Sequence, residues 1–267
     1  MEKVRSSDGT PIAFDRTGDG PPVILVGGAI QHRAIDPGTA RLAELLSPRF
    51  TVFHYDRRGR GDSGNTLPYA IEREVEDLAF LMEVAGGAAC VFGKSSGAVL
   101  SLLTAEGDAA KISKLALYEP PFIVDDTRSP LPDAYVTTLS QLSAQDRCAD
   151  ALAYFMTEGT GAPAEMVEGM RSAPNWPAME SVAHTLAYDG AIMAEYMRGT
   201  PEPLERWRSL AVPALVLDGG DSPPHMRNAA RALADVLPDA RYETLEGQTH
   251  QVDPEVLAPV LERFLAG

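Results

Sequence analysis

The sequence predicts an α/β domain: a mostly parallel sheet flanked by helices and interrupted once by a helical insertion. Three observations predict it. Short apolar, β-branched runs alternate with helical patterns over most of the chain. Some runs, such as PPVILVGGA, are continuously apolar and stop at glycine, as a strand buried on both faces would. From about Phe122 to Arg208 the alternation gives way to helical patterns rich in Met, Ala and Pro, and then it resumes.

The elements follow in order. EKVRSS and PIAFDRT flank Asp8-Gly9, a hairpin signal. PPVILVGGA is a buried strand, TARLAELLS a helix, and FTVFHYD a strand that runs into the loop DRRGRGDSG. IEREVEDLAFLMEVAG is an acidic amphipathic helix closing on glycine. AACVFG is a strand, SGAVLSLLTAEG a helix, and KISKLALYEPP a strand stopped by two prolines. After the insertion come the strand VPALVLDGG, the helix PHMRNAARALADVLP, the strand ARYETLEG and the final helix DPEVLAPVLERFLAG. No internal repeat or low-complexity stretch interrupts this order.

With 267 residues, the chain fits one large domain or a core plus an insertion. Hydrophobic residues at 45% and charged residues at 23% are ordinary for a soluble globule. A formal net charge of -15 repels polyanions, which argues against nucleic acid and anionic membranes as partners and leaves a small-molecule substrate. The two cysteines, Cys90 and Cys148, make neither a disulfide framework nor a zinc site, and Cys90 reads as a small core residue. The N-terminal stretch MEKVRSSDGTPIAF has no apolar segment of signal or membrane length, so the expected location is the cytoplasm.

Gly93-Lys94-Ser95-Ser96-Gly97 matches G-x-S-x-G and falls between a strand and a helix. A turn that tight excludes large side chains at the glycine positions and presents the middle side chain. By position Ser95 is the nucleophile, Ser96 contributes a backbone N–H, and the helix N-terminus favours an oxyanion there. The competing reading is a glycine-rich turn with incidental serines. Lys94 is either a stem packed under this turn with its head on a carboxylate or water, which is the preferred reading, or a charge that stabilises a nearby carboxylate or biases the site toward an anionic substrate.

On these motifs the chain resembles the α/β-hydrolase superfamily, in its serine-nucleophile branch with a helical cap, over nearly its whole length. The resemblance implies an eight-stranded, mostly parallel sheet. It divides the chain into a core of residues 1–121 and 209–267 and a cap of residues 122–208, between strands six and seven. DRRGRGDS (Asp56 to Ser63) resembles the family's loop after strand four. Gly27-Gly28-Ala29 stands at its oxyanion loop, so the N–H groups of Ala29 and Ser96 are implied as the oxyanion hole. The family's order of serine, acid, histidine makes His250, in EGQTHQVDPEV, the implied base. The acid stays open. Asp221, in LDGGDSPP, is preferred, although the family's usual count from Gly219 lands on Ser222. Glu119, in LALYEPPF, is the alternative, because some dehalogenases of this fold take their acid from that place. His54 reads as a packed strand residue and His225 as a helix-surface one.

Together these residues imply acyl transfer through Ser95 with neither metal nor organic cofactor; no metal-ligand cluster, Walker loop or dinucleotide fingerprint is present in the sequence. The expected activity is that of a carboxylic ester hydrolase acting on a small or medium, mostly apolar ester, thioester or lactone. The alternatives are a C–C bond hydrolase, a lyase or perhydrolase of the same fold, or a non-catalytic ligand-binding protein. His32, Phe155, Trp176 and His184 are candidate pocket residues, and Met156, Met170, Met179, Met193 and Tyr196 are further apolar candidates, each also open to a packing role.

Overall fold

The computed structural model describes all residues, 1–267, and has one eight-stranded sheet. The strands are β1 (Glu2–Arg5), β2 (Pro11–Thr17), β3 (Pro22–Val26), β4 (Thr51–Tyr55), β5 (Ala89–Lys94), β6 (Ile112–Tyr118), β7 (Ala214–Gly219) and β8 (Ala240–Leu245), in the spatial order β1-β2-β4-β3-β5-β6-β7-β8. The β1–β2 and β2–β4 pairs are antiparallel, and every other neighbouring pair is parallel. The strand segments read from the sequence are all present.

The core helices are α1 (Pro37–Leu46), α2 (Ile71–Val84) and α3 (Ser96–Gly107). Between β6 and β7 the chain makes α4 (Tyr135–Ala144), α5 (Cys148–Tyr154), a π-helical turn over Phe155–Gly159, α6 (Ala164–Met170), α7 (Trp176–Glu180) and α8 (Leu186–Met193). The helices α9 (Pro224–Val236) and α10 (Pro254–Ala266) complete the chain. Local chemistry fixes several of their starts. Asp36 caps α1 through the Thr39 N–H, Asp253 caps α10 through the Glu255 N–H, and each is followed by a proline whose missing N–H costs nothing at that position. No helix is long and apolar enough to cross a membrane.

Strand alternation divides the apolar side chains between two layers. Ile24, Val26, Val91, Leu115, Leu117 and Val216 face α2, α3 and α9. Val23, Leu25, Phe92, Leu215 and Leu217 face α1 and α10 through Leu42, Leu46, Leu257 and Leu261. Each fully buried side chain of this kind contributes about 1.5–3 kcal/mol. The first layer continues without a break into the insertion, where Tyr135, Leu139, Leu152, Leu186 and Ile192 join the same cluster and α8 packs on α2 and α3.

The acidic residues of α2 divide between solvent and the interior. Its acidic face is not all solvated, since Glu74 and Asp77 are buried. They are paired with two arginines of the loop after β4: Arg57 Nε and a terminal nitrogen bind Glu74 at 2.7 and 2.8 Å, and Arg58 binds Asp77 twice at 2.7 Å. Buried carboxylates are tolerated when paired in this bidentate way.

The order β4-β3-β5 is what places a site. From β3 the chain passes to β4 on one side and then returns to β5 on the other. The carboxyl ends of β3 and β5 therefore open into a crevice, the usual position for a ligand in such a sheet. Gly27-Gly28-Ala29 leaves one of these ends and Ser95 the other.

Candidate active site

Ser95 joins β5 to α3 with φ 57° and ψ -127°, a region that L residues rarely adopt. The flanking glycines are required by space. A Cβ on Gly93 would lie 2.6 Å from Gly97 O and 2.7 Å from Ala98 Cα, and one on Gly97 would lie 2.2 Å from Val26 O. The turn is held by Ser95 N–H donating to Tyr118 O and Ala98 N–H donating to Ser95 O, both at 2.9 Å. Ser96 opens α3, so its N–H has no intrahelical acceptor. Four non-glycine residues in the chain have positive φ, and three of them, Ile30, Ser95 and Glu119, are at the carboxyl ends of β3, β5 and β6. Strain concentrated in this way is typical of functional sites.

His250 lies between β8 and α10, and its Nδ1 is 2.7 Å from Glu119 Oε2. The other Glu119 oxygen accepts the Gly219 N–H at 2.8 Å. Glu119 is fully buried. Burial alone would raise its carboxyl, but the hydrogen bonds from His250 and the Gly219 N–H outweigh it and hold the carboxyl below its ordinary value. With Nδ1–H donating to Glu119, the free Nε2 is left as an acceptor.

Asp221 does not meet His250, which corrects the preferred assignment. Gly220 N–H bonds Leu245 O and Asp221 N–H bonds Gln248 O, and this turn leaves the Asp221 side chain exposed, with no hydrogen bond or ion pair. Ser222, three residues beyond Gly219, is buried instead. Its hydroxyl is close enough to the Glu119 carboxylate to favour the charged form, though outside hydrogen-bonding geometry. Asp218 is buried against the Tyr242 hydroxyl at 2.6 Å.

Ser95 and His250 line one cavity of about 700 Å³. No hydrogen bond joins Ser95 Oγ to the imidazole, whose one hydrogen bond is to Glu119. Such contacts are often loose before substrate arrives. Gly28 and Ala29 line the same cavity, as do Phe155, Met156, Met170, Met179 and Met193 from the insertion.

The other pocket candidates are elsewhere. Trp176 is buried in the packing of the insertion with Arg171 over its ring, and Tyr196 stacks on Trp207. His32 is buried, with Nδ1 lacking a partner, outside the cavity lining. His184 occupies the turn before α8, outside the cavity lining, and its backbone O accepts from the Ser143 hydroxyl at 3.4 Å. His225, a helix-surface residue by its sequence position, instead lines the cavity from the first turn of α9. No group of three or more His, Cys, Asp or Glu side chains is placed to hold a metal ion.

A model of the Alpha/beta hydrolase family matches residues 23–260. The crystal structure of an alpha/beta hydrolase from Sphaerobacter thermophilus is 56% identical, with 98% of this chain and 99% of that one covered and a TM-score of 0.89. The chain belongs to the α/β-hydrolase family. A thermophilic esterase from Thermogutta terrifontis (23% identity, 100% and 98% covered, TM-score 0.71) and an esterase from Rhodococcus sp. ECU1013 (21%, 100% and 98%, 0.68) share the fold.

This α/β-hydrolase also carries a buried network that the sequence did not reveal. Asp189 of α8 binds Arg57 at 2.7 Å and Arg60 at 2.6 Å, and it accepts from Ser96 Oγ at 2.7 Å. Arg60 also donates to Gly28 O at 2.5 Å. Burial would raise the Asp189 carboxyl, but Arg60 and Arg57 hold it below its ordinary value. The insertion, the loop after β3 and the first turn of α3 are thus tied together beneath Ser95. The available signals were an acid in the apolar run LAYDGAIM and three arginines in DRRGR, neither of which names its partner.

Proposed function

We propose that this α/β-hydrolase is a serine hydrolase acting on a small or medium, mostly apolar ester, thioester or lactone through an acyl-enzyme on Ser95. The observation that carries this reading is a strained serine in a cavity shared with His250, whose far nitrogen is bonded to the buried Glu119. Ser95 Oγ attacks the carbonyl carbon as its proton passes to His250 Nε2, and Glu119 stabilises the resulting imidazolium. The N–H groups of Ala29 and Ser96 receive the oxyanion, each donor contributing about 2.7–4 kcal/mol. The leaving group departs with the proton from His250. Water, deprotonated by the same nitrogen, then releases the acid and restores Ser95. The insertion acts as a cap whose methionines and Phe155 surround the apolar part of the substrate.

The test is labelling by a fluorophosphonate together with turnover of p-nitrophenyl esters of increasing acyl length. Both are expected in the wild type and both are expected to be absent in Ser95→Ala. Turnover that survives Ser95→Ala would overturn the reading.

A further inference from the structure

Most arginines and lysines of this acidic chain pair with carboxylates. The two that line the cavity do not. Lys94 Nζ has one hydrogen-bond partner, Gln251 Oε1 at 3.5 Å, and Arg128 donates to two backbone carbonyls, Glu158 O at 2.8 Å and Gly159 O at 2.6 Å. Neither makes an ion pair. The one acidic residue in the lining, Asp36, is engaged with the Gln31 amide, the Thr39 N–H and the Thr39 hydroxyl.

The two cations come from opposite walls. Lys94 shares a strand face with Phe92 and points toward α1 and α10, whereas Arg128 is clamped to the π-helical turn of the insertion. The clamp uses one terminal nitrogen of the guanidinium and leaves Nε and the other terminal nitrogen without a hydrogen bond. A fixed guanidinium with free donors in a largely apolar cavity matches the planar geometry of a carboxylate. Burial also pushes both groups below their ordinary values, outweighing the pull of Asp36 and Glu119 on Lys94 and of Tyr135 and Glu158 on Arg128, none of which forms an ion pair with them.

We infer that the cavity takes an acyl donor that itself ends in a carboxylate, with Arg128 anchoring that carboxylate and Lys94 adding a second positive charge next to Ser95. The inference rests on the serine hydrolase reading and narrows it to half-esters of dicarboxylic acids, whose chain is apolar between two oxygenated ends. Hydrolysis of such an ester consumes one water and releases the alcohol and the dicarboxylate.

The test compares p-nitrophenyl half-esters of adipate and pimelate with the neutral hexanoate and heptanoate esters, the Ser95→Ala rate being subtracted. The expected wild-type kcat/KM is about 10-fold or more higher for the half-esters, and 0.5 M NaCl is expected to shrink the preference. Arg128→Gln is expected to cut this preference about 10- to 100-fold, chiefly through KM, with Arg128→Lys recovering part of it and Lys94→Gln giving a smaller loss. A wild-type preference for the neutral esters overturns the inference, as does an unchanged preference in Arg128→Gln. Calorimetric binding of adipate to wild type and to Arg128→Gln separates this outcome from failure of the hydrolase reading. Adipate binding weakened at least about 10-fold by Arg128→Gln supports the anion site even where no ester turns over. Adipate that does not bind the wild type, or binds both proteins equally, overturns the anion site even where neutral esters are hydrolysed.

Discussion

Asp189 of the insertion accepts a hydrogen bond at 2.7 Å from the hydroxyl of Ser96, the residue that follows the strained serine. Both side chains are buried, and the same carboxylate faces Arg57 and Arg60. Its one negative charge therefore serves two guanidinium groups and the first turn of α3 at once. Asp189→Asn leaves those cations short of a counter-charge, and breaking a buried pair costs about 3–5 kcal/mol. The expected result is a loss of that size in urea unfolding together with slower labelling of Ser95 by fluorophosphonate. A loss below about 1 kcal/mol would show that the arginines re-pair without it.

Glu119 and Asp221 separate cleanly by mutation. Glu119→Gln removes the charge bonded to His250 Nδ1, which orients the ring and stabilises its protonated form, so kcat is expected to fall about 10³- to 10⁴-fold. Asp221→Asn alters an exposed side chain without partners and is expected to leave the rate within about 2-fold. Steady-state rates on one p-nitrophenyl ester decide the matter, and the opposite ranking would return the acid to Asp221.

The lowered Glu119 carboxyl also predicts a sign for acid stability. A carboxyl whose folded value lies below its ordinary value of 4.5 stabilises the fold at pH above that value, and the contribution disappears as pH falls through the folded value. Glu119→Gln has no such contribution to lose. The wild type is therefore expected to exceed the variant most at neutral pH, and the gap in urea midpoint is expected to narrow from pH 5 downward. Other acid-sensitive pairs, including Asp189, are common to both proteins and cancel in the difference. A gap independent of pH would mean that the Glu119 carboxyl is not lowered.

The parts of this molecule that were legible in the sequence are those set by local backbone chemistry. The turn at Ser95 is legible because only glycine fits at positions 93 and 97, and the strands because their apolar runs are short and bounded by turn residues. The choice between Asp221 and Glu119 was not, because it depends on which way two adjacent turns point after β6 and β7 have paired, and the residues concerned are about a hundred positions apart. Asp189 and Arg57 meet across a similar separation. Trp176 and His184 look like pocket residues by type, yet Trp176 is buried in the packing of the insertion and His184, half-buried in the turn before α8, is outside the cavity lining. Aromatic and histidine side chains suit a core as well as a pocket, and only the packed helices decide between them.

The backbone at Ser95 yields a last prediction, in which stability and activity move in opposite directions. At φ 57° and ψ -127° the serine Cβ is strained, and a residue held in such a region costs about 1–3 kcal/mol. Ser95→Gly removes the Cβ and relieves that strain. Glycine also loses more chain entropy on folding, which returns about 0.5–1 kcal/mol. The net expectation is an inactive variant more stable than the wild type by about 1–2 kcal/mol in urea unfolding. Ser95→Ala is the control, because it removes the same hydroxyl but keeps the Cβ and hence the strain, so its stability is expected to stay near that of the wild type. If alanine and glycine stabilise equally, the gain comes from the hydroxyl rather than the backbone. If neither stabilises, the turn is relaxed around its serine and the neighbouring glycines carry the whole cost of its shape.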